Sequence, residues 1–257
     1  MHPSPSLPRP SLARAHLALR RNAALAIAAT ALPLLAVALL ATSAADLSPW
    51  FTVKALALFA VAAGCVWHGL AAHRPHARFG AANGITLLRL AMVSLLAAGL
   101  GESAAPGWAW AALGLATLAA VLDAVDGPLA RRRRQASAFG ARFDMETDAL
   151  LILVLSLLVY ALGQAGAWVL AAGALRYAFV LAAIACPWLA APLPPSLRRK
   201  TVCVVQIVTL IVCLAPIVPP ALAQWIAAAG LAALAWSFAV DTLWLARRRP
   251  HSVEAAS

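Results

Sequence analysis

Four aspartates, Asp123, Asp126, Asp144 and Asp148, have the residue type and spacing to do chemistry in this chain. With Glu146 they place five of the nine acidic residues within 26 consecutive positions, flanked on both sides by hydrocarbon-like sequence. Asp123 and Asp126 are three apart, and Asp144 and Asp148 are four apart, so on helices each pair shares one face. Two such faces turned toward each other gather four carboxylates. Repulsion and lost hydration prevent four such groups from all staying ionised unaided at a membrane boundary. Divalent cations resolve the conflict, and carboxylate oxygens without His or Cys at ligand spacing select a hard ion, Mg²⁺ or Mn²⁺.

Gly127 directly follows the second aspartate, Gly140 precedes the third, and Arg131 lies one turn beyond Gly127. Bare backbone, a guanidinium fork and metal ions together suit a diphosphate. Two other readings compete. The acids could pair with Arg131 to Arg134 and Arg142 merely to pin a loop, but surface pairs contribute only about 0–1 kcal/mol and do not require helical spacing. An ion transporter or channel would use the acids but gives no reason for the Gly and Arg spacing, and it predicts ion flux.

The elements that must position these residues are membrane helices. The chain has 257 residues, 63% of them hydrophobic and 11% charged, with mean hydropathy +0.86. Soluble domains are about half apolar and a quarter charged. Apolar runs of about 20 residues, rich in Ala and Leu and without period-2 alternation, predict spanning helices rather than a barrel. Eight are expected: 23–42, 53–72, 85–100, 108–125, 149–162 with a start near Phe139, 167–186, 202–215 and 221–245. Residues 1–22 read as a flexible tail, 23–80 as two additional spans, and 247–257 as a basic tail. Arg20-Arg21 and Ser43-Ala44-Ala45 around the first span resemble a secretory signal, but its 19 or 20 apolar residues exceed a signal core of about 7 to 15, so the span is read as retained.

A net charge of +11 would suggest nucleic acid in a soluble protein. Here the basic residues sit in short clusters between apolar segments, which excludes that reading and fits a lipid bilayer. With the N-terminus inside, alternate segments hold Arg9, Arg14, Arg20 and Arg21, then Arg74 and Arg78, then Arg131 to Arg134 with Arg142, then Arg198 to Lys200, then Arg247 to Arg249. The opposite segments hold only Lys54. This bias predicts that both termini and the acidic stretch lie on the cytoplasmic side; the expected location is the cytoplasmic or inner membrane of a bacterium. Cys65, Cys186, Cys203 and Cys213 lie in or beside apolar runs and read as small core residues.

The run Asp123-x2-Asp126-Gly127-x2-Ala130-Arg131-x8-Gly140-x3-Asp144-x3-Asp148 resembles the signature of the CDP-alcohol phosphatidyltransferases. Upstream, Asn83-x2-Thr86-x2-Arg89 is similar to the start of that family's first core helix. The resemblance implies an all-α polytopic membrane bundle, with a six-helix core over about 82–246 and two extra N-terminal transmembrane helices on which it is silent. It implies transfer of a phosphatidyl group from a CDP-linked lipid such as CDP-diacylglycerol to an alcohol, with release of CMP. Asp123, Asp126, Asp144 and Asp148 are then the metal ligands for two Mg²⁺ or Mn²⁺ ions. Asp148 is the catalytic base, and Asp123, Gly127, Ala130, Arg131, Gly140, Asn83 and Thr86 face the CDP group. A homodimer is implied as well.

For the acceptor, Arg176 stands in mid-span, where a charge is costly unless it faces a polar cavity. Arg198, Arg199 and Lys200 precede the seventh span. Family members that take glycerol 3-phosphate or inositol phosphate use basic residues in these regions, so glycerol 3-phosphate is one expectation. The match is partial: Ala183 stands where a second Arg often follows, and Val204 stands where a Gln is usual, with Gln206 two positions later. Inositol phosphate, serine, choline or a second lipid therefore stay open.

Overall fold

In lipid, backbone polar groups must be satisfied within the segment, and Ala and Leu cost almost nothing in a helix. The computed structural model describes residues 12–45, 47–73, 78–102, 107–132 and 137–248, and the side chains of 12–15 and 125–132 lie outside the described part. Among the described residues there are eight α-helices and no strand. They are α1 (Leu12–Ala44), α2 (Trp50–Gly69), α3 (Ala81–Ala98), α4 (Trp108–Arg132), α5 (Ala138–Ala161), α6 (Leu170–Ala185), α7 (Leu197–Leu214) and α8 (Pro220–Arg247). Short 3₁₀ turns over Leu70–His73, Ala167–Val169 and Pro187–Ala190 link some of them. The protein is an all-α polytopic membrane bundle.

Hydropathy placed the first helix at residue 23, whereas α1 begins at Leu12. Its first turns carry Arg14, Arg20 and Arg21, which are good helix formers that a hydropathy criterion rejects. The remainder of the expected N-terminal tail lies outside the described residues. Among the described residues, five segments are long and apolar enough to cross a membrane: His16–Ala44, Trp50–His73, Ala81–Ala98, Ala167–Ala185 and Pro220–Arg247. The other three helices carry charge at one end. α4 is apolar only over Trp108–Ala124, α5 opens with the acidic stretch, and α7 opens with Arg198, Arg199 and Lys200.

The chain divides into two compact units, one of described residues up to 98 with 118–147, the other of 99–117 with 148 onward. In the first, α1 and α2 pack on each other and both pack on α3. α3 is the centre: 72% of its apolar window is buried, against 17% for α1 and 28% for α2. Gly80, at φ 87°, makes the turn that starts α3, a conformation open to glycine.

In the second unit, α7 and α8 form an antiparallel pair and α6 packs on α8. Small residues allow close approach, as is usual between membrane helices. A Cβ on Gly230 would stand 2.8 Å from Thr209 Cγ2 and 2.9 Å from Gln206 Oε1. One on Gly173 would stand 2.6 Å from the Leu153 backbone, so α6 lies directly against α5 there. Gly163, at φ 70°, closes α5 with its N–H on the Tyr160 carbonyl.

Candidate active site

Three side chains on one face of α3, Asn83, Thr86 and Arg89, recur at every third position and are all buried. The first two bond back to backbone four residues earlier, Asn83 to the residue just before the Gly80 turn and Thr86 within α3. Asn83 Nδ2 donates to the Phe79 carbonyl at 2.6 Å, and Thr86 Oγ1 donates to the Ala82 carbonyl at 3.2 Å. Arg89 reaches across to two other helices. Its Nε donates to the Ala119 carbonyl of α4 at 3.2 Å, and its Nη1 lies 2.8 Å from Asp123 Oδ1 and 2.6 Å from Asp144 Oδ1. The guanidinium is fully buried, while the Asp123 and Asp144 side chains are 16% and 37% exposed. A charge held out of water in this way persists only where it is paired and hydrogen-bonded. The pairing fixes one oxygen of each of two carboxylates, from α4 and from α5, at the same nitrogen.

Asp148 lies one turn beyond Asp144 in α5, so the continuous helix itself carries it to the same place. Asp123, Asp144 and Asp148 each offer an oxygen, and these lie within 4.8 Å of one another. Among the described side chains, the three carboxylates when ionised outnumber the guanidinium and leave net negative charge, which suits a divalent cation. The donor set is all oxygen and partly open to solvent, which fits Mg²⁺ or Mn²⁺. The Cys203 thiol stands 4.0 Å from Asp148 Oδ2.

Gly140 sits where α5 meets α3, and a Cβ there would be 2.9 Å from Asn83 Oδ1 and 3.4 Å from Ser137 Oγ. Its missing side chain lets the start of α5 close on Asn83. Helix α4 runs through Asp126, Gly127, Ala130 and Arg131, whose side chains lie outside the described part.

The basic residues expected for an acceptor belong to the second unit. Arg198 donates to the Ser237 carbonyl and hydroxyl at 2.7 and 2.5 Å and pairs with Asp241 at 2.5 Å. Arg199 pairs with the same Asp241 oxygen at 3.2 Å and also donates to the Pro194 carbonyl. Both guanidinium groups thus tie the start of α7 to the end of α8. Arg176 is half-buried in α6, and Lys200 is exposed. The residue that sequence reasoning left out of the site is Arg89. Its signal was present, as the third member of the Asn83, Thr86, Arg89 face and an Arg in an otherwise apolar helix.

No curated protein and no solved structure matches the chain. The sequence does match the family model for CDP-alcohol phosphatidyltransferase over residues 79–239. Enzymes of that family transfer a substituted phosphate group from a CDP-alcohol, and the match begins two residues before α3. Since it covers well over half of the chain and takes in Arg89 and all three gathered carboxylates, this protein belongs to the CDP-alcohol phosphatidyltransferase family.

Proposed function

We propose that the protein transfers the phosphatidyl group of CDP-diacylglycerol to a small alcohol and releases CMP. The observation that carries this reading is the triad of Asp123, Asp144 and Asp148 gathered beside a buried Arg89. In the step, the acceptor hydroxyl oxygen forms a bond to the phosphatidyl phosphorus as the bond from that phosphorus to the CMP oxygen breaks. Asp148 takes the hydroxyl proton, and CMP leaves with the electron pair. Asp123, Asp126, Asp144 and Asp148 would hold Mg²⁺ or Mn²⁺, which when bound neutralises the diphosphate and the developing charge. Arg89 keeps Asp123 and Asp144 in place for that task. Gly127, Ala130, Arg131 and Gly140, with Asn83 and Thr86 behind them, would form the nucleotide side. The one-sided basic segments support a site at the cytoplasmic boundary, where a donor that is half lipid and half water-soluble can be reached.

For the acceptor, glycerol 3-phosphate is the first reading, with Arg176 and Lys200 as the cations to receive its phosphate. A second reading is an acceptor without a phosphate, favoured because Arg198 and Arg199 already share the Asp241 carboxylate. Incubating the purified protein with CDP-diacylglycerol, Mg²⁺ and a panel of alcohols, then weighing the lipid product by mass spectrometry, tests both. Absence of CMP release with every alcohol would reject the donor assignment. Sedimentation in detergent would test the homodimer that the family resemblance implies.

A further inference from the structure

His73 ends the 3₁₀ turn after α2, outside the matched region, and is 1% exposed. Its Nε2 lies 3.0 Å from the Arg78 carbonyl and its Nδ1 lies 2.8 Å from Ser137 Oγ. A carbonyl only accepts, so the neutral ring carries its proton on Nε2, and Nδ1 accepts from the Ser137 hydroxyl. The Ser137 oxygen in turn accepts from the Gly140 N–H at 3.0 Å, while the Ser137 carbonyl accepts from the Ala141 N–H at 3.0 Å. These last two bonds are those of an N-cap on α5. Drawing the hydroxyl proton toward His73 turns the lone pairs of Ser137 onto the helix. The His73 ring also packs edge-on against Phe139, with centroids 5.3 Å apart.

We propose that His73 is a positioning residue for the transfer reaction, acting through the Ser137 cap to fix the first turn of α5, where Gly140 closes on Asn83. This rests on the transferase reading above, in which Gly140 and Asn83 belong to the nucleotide side. The first turn of α5 is held by this cap, whereas Asp144 one turn further on is held by Arg89. Loss of the cap therefore weakens nucleotide binding and leaves the displacement step largely intact. It also gives the N-terminal segment that precedes the matched region a task in the reaction, because the turn after α2 supplies His73.

The full-length protein in lipid nanodiscs, as wild type, His73→Ala, Ser137→Ala and the double variant, tests the proposal by hydrogen exchange at Gly140 and Ala141 and by kinetics with CDP-diacylglycerol. Each single variant should speed exchange at these amides about fivefold, the effect of one lost cap. The double variant should add nothing further. KM for the CDP-lipid should rise by a similar factor, with kcat within about twofold. Ser137→Asp, a cap that accepts without needing a directed hydroxyl, should restore protection in the His73→Ala background. Additive effects in the double variant, failure of that rescue, unchanged exchange, or a fall in kcat at constant KM would each overturn the proposal. The exchange result does not depend on turnover, so a wild type that releases no CMP rejects the transferase reading while Gly140 exchange still decides the role of His73 in the cap.

Discussion

Replacing Arg89 by Met keeps the length and apolar stem of the side chain and removes the charge that Asp123 and Asp144 share. The guanidinium is fully buried and contacts two carboxylates and the Ala119 carbonyl. Breaking a buried ion pair on one side costs about 3–5 kcal/mol. The 37% exposure of the Asp144 side chain allows water to recover part of that, so the lower end, about 3 kcal/mol, applies. The variant should lose this much stability in a denaturant titration run in mixed micelles with excess chelator. A divalent ion binds the folded site, and at about a hundred times its dissociation constant stabilises it by about 2.7 kcal/mol. With one more unneutralised charge, the variant should gain more from millimolar Mg²⁺ than the wild type does. Transfer should fall about a hundredfold or more even in saturating Mg²⁺, because Asp123 and Asp144 lose the atom that registers them. Equal stability of variant and wild type in chelator would refute the idea that Arg89 holds these carboxylates, and an equal Mg²⁺ response would refute the charge balance.

Asp148→Asn should lower CMP release by about 10²–10⁴-fold while CDP-lipid binding, followed by equilibrium dialysis in detergent, stays largely intact; near-normal turnover would remove Asp148 from the base role. Activity should vanish in excess chelator and return with Mg²⁺ or Mn²⁺, and undiminished turnover in chelator would reject a metal role for the acidic triad. Gly173→Val should destabilise the protein by about 1–3 kcal/mol, because its Cβ would meet the Leu153 backbone, which cannot swing aside as a side-chain tip can. An unchanged unfolding midpoint would show that α6 and α5 separate at little cost.

The helical architecture was legible in the sequence, and so was the shared face of Asp144 and Asp148, because each follows from short-range periodicity. A three- or four-residue interval places two side chains on one face whatever the tertiary structure, and an apolar run of about 20 residues has few alternatives in lipid. The start of α1 was misjudged because hydropathy measures partition into lipid, while Arg20 and Arg21 propagate a helix outside it. Partners were not legible. The contact of Arg89 with Asp144 spans 55 positions and that of Arg198 with Asp241 spans 43, and no local pattern encodes which of several cations faces which acid. For the same reason, Arg198 and Arg199 read as candidate acceptor ligands, although Asp241 already engages both.

A site made only of carboxylates has a difficulty whenever no cation is bound: like charges at a few ångströms either take up protons or move apart, and each response spoils the geometry that the next substrate requires. A guanidinium fixed between two of them answers this without taking their place as ligands. A carboxylate has about four lone-pair sites, so Asp123 and Asp144 can accept from Arg89 and still face a cation. The cost is a fully buried charge in α3, which is far more buried than α1 or α2, and it is met by contacts of that one side chain with Asp123 and the Ala119 carbonyl of α4 and with Asp144 of α5. The residue best suited to this is Arg, since its delocalised fork stays charged at any physiological pH and gives up hydration more readily than an ammonium. On this argument Arg89→Lys should fold better than Arg89→Met yet remain impaired in transfer, because one ammonium cannot reach the Ala119 carbonyl and both carboxylates in the geometry that the fork provides.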